Sequence, residues 1–263
     1  MSRGIATLAG GTKYFLLAYA NCKLLRSYGC ELPIEWFYLG PEMSASMLEL
    51  AEEIEGVQCI DLLPDNIRSI NPKGARQTKA FAMIEASFDE TLFIDADSFP
   101  LVPPDQLFDF LGNDAAIFWP SNKRWSSEKI VELNNFFEVK FDSMRIDSGQ
   151  MLFRRDIALV ALELAKVYNM GWETVYGLTE SEHDTFLIAF RKTKIPHTVL
   201  PKKPEVSKIG STQFDPEGRP AFFHMREPKH LPPLDLELLK KTLDIGDIPC
   251  KFCEKWPPIA LQT

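Results

Sequence analysis

A chain of 263 residues, 45% apolar and 25% charged, can bury a full hydrophobic core and reads as an ordinary soluble globular protein. Its formal charge of −8 argues against general binding to nucleic acid or anionic membrane, because phosphate backbones are gripped by an excess of Lys and Arg. No charged-then-apolar signal pattern opens the chain and no run of about 18 apolar residues occurs, so neither an export signal nor a transmembrane span is expected, and a cytoplasmic location is.

Gly4 to Ala9 reads as a first strand, broken at Gly10-Gly11 where a helix must begin. Lys13 to Tyr28 carries Leu17, Ala20 or Asn21, Leu24 and Tyr28 at helical spacing and stops at Gly29. Ile34 to Leu39 is rich in β-formers and ends at Gly40-Pro41. A helix from about Ser46 carries the stripe Met47, Leu50, Ala51, Ile54, and a third strand runs from Val57 to Leu62. This βαβαβ order predicts an α/β fold with a mostly parallel central sheet flanked by helices. A helix over about 75–87 then leads into the strand Thr91 to Ile94.

Beyond that strand, prolines carry the chain to a short helix near 105–111 and a buried strand from Ala115 to Trp119. Ser126 or Ser127 can cap a helix carrying Ile130, Leu133 and Phe137. Ile146 to Phe153 moves from polar loop to strand, and Asp156 caps a long helix. Glu182 and Asp184 open another, followed by short strands at 197–200 and 221–224. Five cysteines, with Cys22, Cys30 and Cys59 in apolar segments, suit reduced thiols. Cys250 and Cys253 form a lone C-x-x-C without the second pair a zinc site needs, and read as structural or incidental.

The chemistry concentrates at Asp95-Ala96-Asp97, where an apolar strand ends in two carboxylates separated by one residue. In an extended segment residues i and i+2 face one side, and the carboxyl ends of strands are where open α/β sheets bind ligands. Two such carboxylates repel one another, and a hard divalent cation bridging to a phosphate turns that repulsion to use. Alone, the motif also fits a turn cap. Gly10 and Gly11 allow the backbone close approach to a nucleotide, but G-x-G-x-x-G is missing, so NAD is not expected.

Taken together, Gly10-Gly11-x-Lys13-Tyr14, Leu32 to Tyr38, Lys79, Ser87-Phe88, Leu92 to Asp97, Phe118-Trp119-Pro120, Ser148-Gly149-Gln150, Asp184-Thr185-Phe186 and Phe223-His224 resemble the GT-A glycosyltransferases. Within them the chain is most similar to the fungal-type α-mannosyltransferases that elongate mannan side chains, and more distantly to the glycogenin-like family. The resemblance spans about residues 4–230. It implies a single GT-A, Rossmann-like domain with a nucleotide-binding half (1–97), an acceptor half (98–230), and a C-terminal helix and tail (231–263).

It further implies metal-dependent, retaining transfer of a hexose, from GDP-mannose or a UDP-hexose, to a glycan hydroxyl, with Mn²⁺ or Mg²⁺ held by Asp95, Asp97 and His224. Leu8, Ala9, Gly10 and Lys13 would meet the nucleotide. Asp95, Ala96 and Asp97 would meet the donor diphosphate, with Lys79 and Lys229 as phosphate contacts and Arg76 a weaker one. Ser148, Gly149 and Gln150 would lie beneath the transferred sugar, with Asp147 and Asp184 as carboxylates of the catalytic region. Each has a structural alternative: His224 as a packing residue at a strand end, the lysines as solvated charge, Glu182 and Asp184 as favourable charges at a helix start. Trp119, Trp125 and Trp172 could stack on sugars or lie in the core, and His183 could neighbour the acceptor or be merely exposed. An inactive glycan-binding module is a further alternative. A phosphatase D-x-D-x-[TV] loop is disfavoured by Phe99 at its fifth position and by its late place in the chain.

Overall fold

The computed structural model describes residues 1–62 and 77–225. Strand and helix alternate through the first half: β1 (Arg3–Leu8), α1 (Thr12–Ser27), β2 (Ile34–Tyr38), α2 (Ala45–Glu52), β3 (Val57–Asp61), α3 (Thr78–Glu85) and β4 (Glu90–Ile94). Gly11, at φ 82, makes the left-handed turn that lets α1 start directly after β1. Ser44 caps α2, its hydroxyl accepting from the Met47 amide at 3.3 Å.

The second half is less regular. It contains β5 (Ser98–Pro100), a 3₁₀ segment (Pro104–Leu111), β6 (Ala116–Arg124), α4 (Ser127–Phe137), β7 (Met144–Arg154), α5 (Arg155–Met170), α6 (Trp172–Thr179), α7 (His183–Thr193), β8 (His197–Val199), β9 (Glu205–Val206), β10 (Gly210–Phe214) and β11 (Pro220–Met225).

A seven-stranded sheet runs β3-β2-β1-β4-β7-β6-β8. Its first four strands are parallel, β6 and β8 are parallel to each other, and β7 lies antiparallel between β4 and β6. The mostly parallel α/β sheet is therefore as the sequence pattern implies. All five residues of β4 are buried, as a strand covered on both faces requires. Phe93, Phe118, Met151 and Phe153 pack with Phe186 and Phe190 of α7, while Ala158, Ala161 and Ala165 let α5 lie close. Each buried Phe contributes roughly 1.5–3 kcal/mol. No helix among the described residues is long and apolar enough to cross a membrane.

A second, antiparallel sheet has the order β5-β11-β10-β9. Three of its strands, and α6, have no counterpart in the sequence reading. The strand β5 is three residues long and holds Pro100, which a sheet tolerates because β5 is an edge. Both residues of β9 are exposed, β10 is mostly small and polar, and α6 follows α5 across the single joint Gly171. The expected C-terminal helix and tail, Cys250 and Cys253 lie outside the described residues, as does the start of the helix expected from residue 75.

Candidate functional site

The three residues Asp95-Ala96-Asp97 connect the two sheets, since β4 ends at Ile94 in the large one and β5 begins at Ser98 in the small one. The connection is pinned on both sides. The Asp95 amide donates to the Gly149 carbonyl at 2.8 Å, and the Met225 amide donates to the Asp97 carbonyl at 2.9 Å. Antiparallel pairing of β5 with β11 sets His224 opposite Ser98. One ligand atom each from Asp95, Asp97 and His224 consequently lie within 4.8 Å of one another. Residues more than a hundred positions apart are assembled by sheet register rather than by local spacing.

Asp147 orients the histidine. Its carboxylate oxygens lie 3.0 and 3.1 Å from Nδ1 of His224, and it also accepts from the Gly149 amide at 2.9 Å and Gln213 Nε2 at 3.0 Å. Nε2 of His224 is left turned to Asp97, 3.4 Å away. A histidine that gives one ring N–H to a carboxylate and aims its other nitrogen at acidic groups has the arrangement of a metal ligand with its supporting shell. Burial alone would lower the His224 pKa, but Asp147 and Asp97 outweigh it and hold the ring well above its ordinary value. His224 in turn overcomes the burial of Asp147 and holds that carboxyl well below its usual range. Gly149 makes room for this ring: a Cβ there would stand 2.5 Å from Cε1 and Nδ1 of His224.

Lys79, buried at 3% exposure on α3, gives its ammonium to Asp95 Oδ2 at 2.8 Å, the Ser148 hydroxyl at 2.9 Å and the Ser148 carbonyl at 3.0 Å. Glu182 lies 3.9 Å from the same nitrogen. Burial opposes the charge, yet Asp95 and Glu182 more than restore it and raise the lysine's pKa. Asp95 is pushed upward by burial and by Asp97, with Lys79 pulling the other way. Lys79 thus sits under the acidic pair as its internal counter-charge. Ser148 connects it to His183, whose Nδ1 lies 2.6 Å from the Ser148 hydroxyl.

Asp184 and Gln150 are placed differently. Asp184 is 2% exposed; it takes Nε of Arg145 at 2.9 Å and the Ile146 amide at 3.3 Å. Burial, only partly opposed by Arg145, moves its pKa up to about 6. Arg145 also reaches Glu180 at 2.8 Å and lies 3.7 Å over the ring of Trp125. Gln150 is fully buried, its carbonyl accepting from the Ser98 hydroxyl at 2.9 Å. Trp119 belongs to the core, donating to the Phe214 carbonyl at 2.8 Å and meeting Phe222 edge-on at 5.4 Å. Trp125 is likewise buried and Trp172 half-buried.

A cavity of about 340 Å³ opens beside these groups, walled among others by Ser121, Asn122, Asp147, His183, Ser211 and His224. A larger depression of about 730 Å³ between residues 138–142 and 191–197 shares none of its residues and is lined mainly by surface charges. At the other end, Leu8, Ala9 and Gly10 close β1, with the Ala9 amide bonded to the Phe37 carbonyl at 2.9 Å. Glu42 packs against Gly10, where a Cβ would collide with its carboxylate. Lys13, on the first turn of α1, lies over the Tyr14 ring at 5.3 Å. Lys229 and Arg76 lie outside the described residues. Arg145, Glu182 and Gln213 carry much of the site's charge and hydrogen bonding, and no motif in the sequence marks them.

An N-terminal βαβαβ half, a sheet-joining acidic turn and a small antiparallel sheet behind it define the GT-A glycosyltransferase class of fold. The solved structure of the galactosyltransferase LgtC, in complex with donor and acceptor sugar analogs, shares this fold at a TM-score of 0.50 and 14% identity, over 74% of this chain and 73% of that one. The Mannosyl_trans3 family model of mannosyltransferases matches residues 2–143, just over half of the chain, and the chain belongs to that mannosyltransferase family. Among curated relatives, the α-1,2-mannosyltransferase MNN2 of Saccharomyces cerevisiae is 38% identical over 112 residues, covering 40% of this chain and 18% of that protein. The α-1,2-mannosyltransferase MNN21 of Candida albicans is 29% identical across 85% of this chain and 44% of its own length. The chain thus spans less than half the length of these relatives.

Proposed function

We propose that this chain carries out retaining transfer of mannose from GDP-mannose to a glycan hydroxyl, assisted by a divalent cation, Mn²⁺ or Mg²⁺, at Asp95, Asp97 and His224. The observation that carries the reading is the convergence of these three side chains within 4.8 Å, with Asp147 behind the histidine. Two carboxylates and an imidazole suit such an ion. When bound, it neutralises the nucleoside diphosphate that departs as the sugar–oxygen bond breaks.

The chain's own residues supply position and field. Leu8, Ala9 and Gly10 stand at the end of β1 and Lys13 at the start of α1, where the nucleotide binds in this reading, and Ala96, Ser148 and Gly149 present backbone close to the diphosphate and sugar. Lys229 is retained as a phosphate contact. Lys79 balances Asp95 from beneath, so its phosphate role is indirect. Asp147 acts through His224, Asp184 through Arg145 on the cavity wall, and Gln150 through Ser98. With both of these carboxylates engaged, neither is poised as a covalent nucleophile. Attack of the acceptor on the same face as the departing phosphate needs only held geometry and electrostatics. The 340 Å³ cavity beside His224 is where the acceptor enters.

A panel of GDP-mannose, UDP-galactose and UDP-glucose, with and without Mn²⁺, tests this by nucleoside diphosphate release and transfer to mannosides. Metal-dependent turnover of GDP-mannose, lost in Asp97→Ala, is expected. Turnover of a UDP-hexose alone would reassign the donor, and sugar binding without release of nucleoside diphosphate would make the chain a glycan-binding module.

A further inference from the structure

His183 is the first residue of α7 and a wall of the 340 Å³ cavity, with its side chain one-third exposed at 33%. Its protonation pattern can be worked out from its neighbours. Lys79 points its three ammonium hydrogens at three oxygens: Asp95 Oδ2, the Ser148 carbonyl and the Ser148 hydroxyl. The Ser148 hydroxyl is therefore an acceptor toward Lys79, and its own hydrogen is free to go elsewhere. The group it meets is Nδ1 of His183, 2.6 Å away. The Ser148 backbone N–H points at the same nitrogen from 3.4 Å. A ring nitrogen that receives two donors carries no hydrogen, so the hydrogen of the neutral imidazole resides on Nε2. No hydrogen-bond acceptor among the described residues takes that N–H, and the nearest carboxylate oxygen, on Glu182, is 3.8 Å distant.

We propose that His183 is a substrate-contacting hydrogen-bond donor: the Lys79–Ser148 pair locks its ring as the Nε2–H form and presents that N–H to a sugar oxygen in the cavity. This rests on the glycosyl-transfer reading of the same site. In this role His183 is not the base that deprotonates the acceptor, since its only unprotonated nitrogen faces Ser148. An oxygen, whether ring or hydroxyl, is what an N–H at this point selects, and a cationic group on the sugar is disfavoured there.

Two substitutions separate this role from packing. Asn at position 183 can replace the Nδ1 contact to Ser148 but has nothing at the Nε2 position, whereas Gln places an amide N–H near Nε2. His183→Asn is expected to keep the wild-type unfolding midpoint and lose roughly tenfold in kcat/KM, and His183→Gln to recover most of that loss. Equal turnover of His183→Asn and wild type would overturn the proposal. ¹⁵N–¹H correlation spectra of ¹⁵N-histidine-labelled protein at pH 8, without substrate, report the tautomer directly, and an Nδ1–H ring at His183 would overturn it independently of any activity. Absence of turnover in the wild type with every nucleotide sugar would instead refute the glycosyl-transfer reading, leaving the tautomer to the spectra.

Discussion

Asp147 lies 3.0 Å from Nδ1 of His224, the ring nitrogen that points away from Asp97. The carboxylate fixes both the rotation of the imidazole and the place of its hydrogen, and it raises the basicity of the nitrogen left for a cation. Weakening it should act on metal binding more than on the fold. In Asp147→Asn the Mn²⁺ dissociation constant should rise about tenfold, and in Asp147→Ala nearer a hundredfold. Isothermal titration with MnCl₂ checks this, and an unchanged constant in both variants would detach Asp147 from the metal centre.

Gly149 tests the same ring from the other side. Its carbonyl is tied to the Asp95 amide at 2.8 Å, so the backbone cannot retreat, and an added Cβ would meet the imidazole at 2.5 Å. Mn²⁺ should raise the unfolding midpoint of the wild type, and Gly149→Ala should displace His224 and abolish that rise. The metal-free midpoint should fall far less than the metal-dependent increment, as thermal scans with and without MnCl₂ would show.

What the sequence discloses of this site follows from how far each relation reaches along the chain. The strand ending in Asp95-Ala96-Asp97 is local, and its apolar run and abrupt charge are readable from composition. The expectation that Asp95 and Asp97 converge rests on an extended segment, whereas they sit in a turn, and β11 pairing with β5 is what brings His224 to them. That pairing depends on short strands whose polar composition gives no periodic signal. His224 was identifiable as a strand-end histidine, but Asp147 as its partner was not, since 77 residues separate them. Arg145 looks like any loop arginine until Asp184, Glu180 and Trp125 close around it. Lys79 reads as a phosphate contact, with solvated charge as the alternative, whereas it is buried under the acidic turn with its ammonium given to Asp95 and Ser148.

Burial makes Lys79 expensive to lose. Removing its ammonium leaves the half-buried Asp95 carboxylate beside Asp97 without its counter-charge, which costs on the order of 2–3 kcal/mol, less than a fully buried pair because water still reaches Asp95. Lys79→Met should show that loss in urea unfolding without metal. Saturating Mn²⁺ should restore a larger increment to the variant than to the wild type, because the ion replaces the missing positive charge. Equal increments would mean that Lys79 and the metal site are energetically independent.

Asp184 provides a pH signature away from Asp95, Asp97 and His224. Its folded pKa of about 6 stands above its ordinary value of 3.8, because burial outweighs the pull of Arg145. A carboxyl raised in the folded state favours folding while it is protonated. Its contribution is complete below pH 3.8 and is lost as pH rises through 6. Asp147, held low, has the opposite sign and acts only as pH falls below the ordinary carboxylate range, while Asp95 and Glu42, also raised, share the sign of Asp184, so the comparison with Asp184→Asn is what isolates its contribution. With each pKa unit worth about 1.4 kcal/mol, the stability of the wild type relative to Asp184→Asn should fall by about 2 kcal/mol between pH 4 and pH 7. Urea unfolding of the two proteins at several pH values across that interval measures the difference. A constant gap would mean that the Arg145 pair keeps Asp184 ionised throughout, with its carboxyl at or below the ordinary value.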